Sequence, residues 1–159
     1  MTHDMPDPLG SRTLVALDFE NLAGGPEPCE IHFQRIRQIV EGVVGDVPAP
    51  IIAACSHHAA RTMSFLWPAA RWKWRSGRDG ADLALLDELD VDWISQRFTR
   101  LVLGTGDGIF AGVVSQLGLS GTKVEVVSRR RALSRRLRMA ASTSFTFEDL
   151  ADETGADVA

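Results

Sequence analysis

The stretch "LVLGTGDGIFAGVV", Leu101–Val114, decides the fold. Three apolar residues run into a Gly-Thr-Gly turn, the turn carries Asp107, and a second apolar stretch follows with helix spacing. A strand that ends in a tight glycine turn and opens a helix places that aspartate at the carboxyl edge of a sheet, where open α/β folds hold their ligands. The rest of the chain must then supply more strands, covering helices and partners for the carboxylate.

Outward from this stretch the same alternation repeats. "TLVALD" (Thr13–Asp18), "PIIAAC" (Pro50–Cys55), "AARWKWR" (Ala69–Arg75) and "KVEVV" (Lys123–Val127) read as strands beside Leu101–Thr105, and Ser144–Phe147 as a short last one. Helix spacing predicts helices over 31–44, over the segment after Ser56 until Pro68 breaks it, over 81–98 with an interruption near Val91, over 108–117, and over a basic segment, 133–141. Strands that are continuous apolar runs indicate a parallel sheet covered on both faces. The expectation is a three-layer α/β domain over 13–150. Residues 1–12 and 151–159 carry too little apolar material to pack and are expected to be loose ends.

Composition bounds the function. With 159 residues, 45% apolar and 24% charged, the chain fits one globular domain. A net charge of −4 shows no overall excess that would announce nucleic acid or an anionic membrane, so any basic surface must be local. Cys29 and Cys55 form neither a disulfide framework nor a zinc motif and point to a reducing compartment. Neither a signal peptide nor a membrane span is readable, which predicts a cytoplasmic protein with no membrane partner. A homo-oligomer is compatible with all of this.

Three aspartates fall at the same predicted edge. Asp18 ends the first strand, Asp107 follows the fourth, and Asp82 opens a helix after a glycine loop. Singly, Asp82 could be a helix cap and the others loop residues; jointly they are expected to converge as a site. Two carboxylates about 5 Å apart repel by roughly 3 kcal/mol at an effective dielectric near 20, so a cation is expected between them. Mg²⁺ or Mn²⁺ suits carboxylate oxygens, whereas zinc would favour His or Cys ligands.

The blocks "LDFENL" (Asp18, Asn21), "GADLALLDEL" (Asp82, Asp87) and "GTGDGIFAGVVSQLGLSGTKVEVV" (Thr105, Asp107, Phe110) resemble, in that order, the signature blocks of NYN domains, a branch of the PIN-like metal-dependent ribonucleases. The resemblance spans Thr13–Phe147. It implies a PIN-like fold with a mostly parallel five-stranded sheet, and an acidic pocket that binds Mg²⁺ or Mn²⁺ and hydrolyses RNA with activated water. By the same resemblance Asp18, Asp82 and Asp107 are catalytic and metal-binding carboxylates, Asn21 is a polar pocket residue, and the Thr105 hydroxyl orients Asp107.

This chain departs from the family pattern at Ile109, where a second aspartate is common, and at "AAST" (Ala140–Thr143), where Ala-Asp is frequent. The departures favour one firmly held metal over two. Ile109 either plugs the second metal position or packs as core, and the pocket-facing arrangement is the one expected. Asp87 lies about 140° from Asp82 on a helix and reads as a solvated or capping charge. The alternative function is a catalytically silent module that binds RNA or a protein; a small-molecule phosphohydrolase is the third reading.

A single-stranded RNA substrate needs phosphate contacts despite the acidic total. Arg75, Arg78, Arg129, Arg130 and Arg131 follow strand ends and are expected to form a basic rim, while Arg135–Arg138 reads equally well as a solvated helix face. His57 and His58 are expected to be merely exposed. Trp72 and Trp74, on one face of a strand, are expected to be core.

Overall fold

A computed structural model describes residues 12–25, 29–75 and 77–150. Six strands are present: β1 (Thr13–Asp18), β2 (Ile51–Cys55), β3 (Ala70–Trp74), β4 (Arg100–Gly104), β5 (Lys123–Arg129) and β6 (Thr143–Phe147). They form one all-parallel sheet in the order β3-β2-β1-β4-β5-β6. The five strands that the resemblance implies become six: β6, read in the sequence as a short last strand, adds to the outer side of β5, with Val127 beside Phe145.

The helices are α1 (Phe19–Ala23), α2 (Glu30–Val44), α3 (His57–Leu66), α4 (Gly80–Glu88), α5 (Val91–Arg97), α6 (Ala111–Leu119) and α7 (Arg135–Ala140). The expected break near Val91 falls where Asp90 caps α5, its carboxylate accepting from the Trp93 amide. The segment from Gly108 begins as a 3-10 turn, Gly108–Phe110, before α6. The one-turn helix α1 was not readable as a period, because five residues hold little more than a turn.

Parallel crossovers are right-handed, so a chain that steps one way from β1 through β2 to β3 and the other way from β4 through β5 to β6 puts its helices on opposite faces. The core divides accordingly. Val15 and Leu17 pack with Phe33, Ile36, Val40, Met63, Trp67 and Trp72 on one face; Leu14 and Ala16 pack with Leu85, Ile94, Leu101, Leu103, Val114 and Leu117 on the other. Each fully buried aliphatic or aromatic side chain contributes about 1.5–3 kcal/mol, which is why strands hidden on both faces are apolar throughout. Phe19 stacks on Phe33 with ring centroids 5.1 Å apart, which seats α1 against α2.

At the amino edge, Arg100 reaches the Glu125 carboxylate at 2.6 Å and donates to the last carbonyls of α2, Val43 and Val44. Those carbonyls have no partner within the helix, so a guanidinium satisfies them. The loose N-terminal segment expected over 1–12 lies outside the described residues except for Arg12, whose carbonyl accepts from Thr99 and Arg100 and so continues the edge of β1. The expectation for 151–159 also lies outside them.

Candidate metal centre at the carboxyl edge

Strand order reverses between β1 and β4, and in a doubly wound sheet the crevice outside the carboxyl ends opens there. Asp18 ends β1 on one side of this switch point and Thr105–Asp107 follow β4 on the other. Asn21 links the two sides. Its amide donates to Asp18 Oδ1 at 3.2 Å, its side-chain Oδ1 accepts from the Gly106 amide at 2.8 Å, and its carbonyl accepts from Arg129 Nε at 2.8 Å.

Asp18 is fully buried, with Oδ1 serving as the cap of α1 and Oδ2 left without a hydrogen-bond donor. Its carboxyl is held well above the ordinary carboxylate range, first by burial, then by the neighbouring Asp82 carboxyl and its charge; the Asn21 amide opposes this and the Glu20 charge adds to it. Two ionised carboxylates are both acceptors, so this contact needs either a shared proton or a cation. Asp82 reaches it from the first turn of α4. That turn starts close to the preceding loop, because a Cβ on Gly80 would collide with the Arg75 carbonyl.

Glu20 is the residue that sequence reasoning missed. Its Oε1 is buried without a partner, and its charge raises both Asp18 and the Cys55 thiol at the end of β2. Burial above all, with Glu20 behind it, pushes Cys55 up to about 12, so this thiol is not a nucleophile at neutral pH. Ser56 Oγ, just past β2, is also buried without a partner. The only signal for Glu20 in the sequence is its place two residues after the strand-end Asp18, since the helix that carries it is too short to show a period.

Asp107 is placed differently from expectation. The hydroxyl of buried Thr105 accepts from the Asp107 amide at 3.2 Å and so does orient this residue, but the Asp107 carboxylate caps its own turn by accepting from the Ile109 amide at 3.0 Å. Among the described residues no three His, Cys, Asp or Glu side chains gather around one point. The structure therefore brings Asp18 and Asp82 together and leaves Asp107 on the neighbouring strand end. A pair still fits Mg²⁺, which keeps several waters and takes only one or two protein carboxylates.

The expected basic rim is only partly free. Arg129 is drawn inward, bound to the Asn21 carbonyl and to Asp149 at 3.2 Å, so its guanidinium braces α1 against β5. Arg75 pairs with Asp87 at 3.4 Å and Arg130 with Glu148 at 2.8 Å, while Arg78 and Arg131 are exposed. His57 and His58 are exposed, their rings 3.8 Å apart. Trp72 is core, 7% exposed, with its indole N–H donating to the Trp67 carbonyl. Trp74 corrects the expectation: it is 57% exposed, because the last residue of the edge strand β3 extends past the helices that cover Trp72. Ile109 is 43% exposed, so it is not core.

The fold and this edge define a doubly wound α/β protein with an acidic pair, Asp18 buried and Asp82 half-buried, at its topological switch point. No protein-family model and no curated protein matches the chain. A crystal structure of a protein of unknown function from Vibrio parahaemolyticus RIMD 2210633 is similar, with a TM-score of 0.64 at 18% identity over 91% of this chain and 98% of that one. At that identity the likeness concerns the fold alone.

Proposed function

We propose that the protein is a divalent-metal-dependent ribonuclease whose Mg²⁺ or Mn²⁺ is held by Asp18 and Asp82. The observation that carries this reading is the fully buried Asp18 carboxyl, one oxygen without a donor, in contact with a second carboxyl. When bound, a divalent ion supplies charge against the phosphate oxygens and acidifies a water. Asn21 holds Asp18 at the strand end and fixes the Gly106 turn beside it; Thr105 orients the turn that presents Asp107 across the switch point. Burial of Asp18 lowers the dielectric around its carboxylate and so strengthens its attraction for a cation. RNA as the substrate follows the resemblance of the Asp18–Asn21, Asp82 and Thr105–Asp107 blocks to NYN domains. Two free cysteines, one buried and one exposed, fit a reducing, cytoplasmic setting. Among the described residues no helix is long and apolar enough to cross a membrane.

The test is cleavage of an end-labelled single-stranded RNA pool with Mn²⁺ and with EDTA, by the wild type, Asp18→Asn and Asp82→Asn. Cleavage that requires Mn²⁺ and is lost in both variants is expected. Metal-dependent RNA binding without cleavage would leave the silent binding module, and neither binding nor cleavage would overturn the RNA reading altogether.

A further inference from the structure

A second cleft, of about 530 Å³, lies between α7 and the outer strand β6, away from the acidic pair. Three guanidinium side chains line it, Arg130, Arg135 and Arg138, with the hydroxyls of Ser144 and Thr146 and a single apolar residue, Leu133. Ser144 and Thr146 are two apart on β6 and therefore share a face; Arg135 and Arg138 are three apart on α7 and therefore neighbours. None of the residues lining the cleft is acidic. Arg130 is paired with Glu148, both well exposed, whereas the exposed guanidinium groups of Arg135 and Arg138 have no ion-pair or hydrogen-bond partner among the described residues. Like charges gathered without counter-charge repel, and an anion relieves that repulsion.

The cleft is also held rigidly against the other site. Leu137 is fully buried beneath α7, its amide accepted by Ser134 Oγ, and the Ser134 amide donates at 2.8 Å to the carbonyl of Gly106, one residue before Asp107. A Cβ on Gly106 would collide with the Ala132 carbonyl, so the arginine-bearing segment lies directly on the turn that presents Asp107. With strands about 4.8 Å apart, β6 stands three strands and roughly 15 Å from the end of β1. A few nucleotides of an extended strand cross that distance.

We propose that Arg135, Arg138 and the hydroxyls of Ser144 and Thr146 bind successive backbone phosphates of the RNA strand whose scissile bond lies at Asp18 and Asp82. This rests on the proposed function for the choice of RNA as the anion and names the path the strand takes. The arginines grip phosphates without reading bases. Arg129, from the expected rim, is replaced in this role by residues that sequence alone could not separate from a solvated helix face.

The test is fluorescence anisotropy of a labelled oligouridylate dodecamer, in EDTA so that binding is read without cleavage. Arg135→Ser with Arg138→Ser is expected to bind about tenfold more weakly near 0.15 M salt and to lower the slope of log K against log salt by about 1.4, the loss of two single-strand phosphate contacts. Arg138→Gln alone should show about half that change in slope. A charge-matched control, Arg12→Ser with Arg97→Ser, at the opposite edge of the sheet, should bind as the wild type does. Equal loss in the control, no loss in the cleft variants, or no binding by the wild type would overturn the proposal. So would displacement of the oligonucleotide by micromolar inorganic phosphate, which would make the cleft a small-anion site. Arginine-dependent binding without Mn²⁺-dependent cleavage in the wild type would refute the nuclease reading while leaving the cleft assignment in place.

Discussion

The Gly106 amide donates to Oδ1 of Asn21 at 2.8 Å, across 85 residues of sequence, and this bond joins the two halves of the sheet at their carboxyl edge. Asn21→Ala leaves a buried N–H without an acceptor, which costs about 1–3 kcal/mol. Urea unfolding should show that loss. The same variant should also weaken Mn²⁺ stabilisation through the Asp107 turn, which loses its anchor, whereas the backbone amide of residue 21 still donates to Asp18. A loss below about 0.5 kcal/mol would mean that water takes over the acceptor role.

Asp18 sets the pH dependence of the metal-free protein. Its folded-state pKa is raised well above the ordinary 3.8, so the folded state holds this proton more tightly than the unfolded chain does. The stability this contributes is fully present below about pH 4 and is lost as pH rises through the higher folded value. In EDTA, Asp18→Asn should therefore be more stable than the wild type at neutral pH, by a margin that shrinks on acidification towards pH 4. Mn²⁺ at roughly a hundred times its Kd should stabilise the wild type by about 2.7 kcal/mol and the variant by much less. Thermal unfolding from acid to neutral pH, with and without the metal, checks both; a margin that grows on acidification would contradict the placement of Asp18.

Much of this architecture was legible because parallel strands buried on both faces must be apolar runs, as in Thr13–Asp18 and Leu101–Gly104. Strand ends then located Asp18 and the Thr105–Asp107 turn. What was not legible depends on side-chain direction. Arg129 belongs to a run of three arginines that looks uniformly solvated, yet as the last residue of β5 it turns back to the Asn21 carbonyl. Asp107 shares an edge with Asp18 but turns its carboxylate onto the Ile109 amide. Glu20 sits in a helix too short to show a period, so nothing in its spacing marked it as facing inward.

Trp72 and Trp74 share a face of β3 but differ in cover, and their truncations should differ accordingly. Trp72→Ala removes a buried ring that packs against Phe19 at 5.8 Å and should cost about 3–5 kcal/mol. Trp74→Ala removes a mostly exposed ring and should change stability by about 0.5 kcal/mol or less. Denaturant midpoints distinguish them. Similar losses would mean that Trp74 is covered in solution.

Ile109 offers a test of how the acidic edge is completed. At 43% exposure, with its amide bound to the Asp107 carboxylate, its side chain is not part of the core, so Ile109→Asp buries no unpaired charge. The variant should unfold within about 0.5 kcal/mol of the wild type in EDTA. A carboxylate added to the turn next to Asp107 raises the number of hard oxygen donors facing the switch point, and cation affinity rises with ligand charge. Mn²⁺ titrations followed by thermal midpoint should therefore show saturation at lower metal concentration in Ile109→Asp, and RNA cleavage should rise with it. An unchanged titration in a fully folded variant would mean that the turn directs position 109 away from Asp18 and Asp82, leaving those two carboxylates alone to hold the ion.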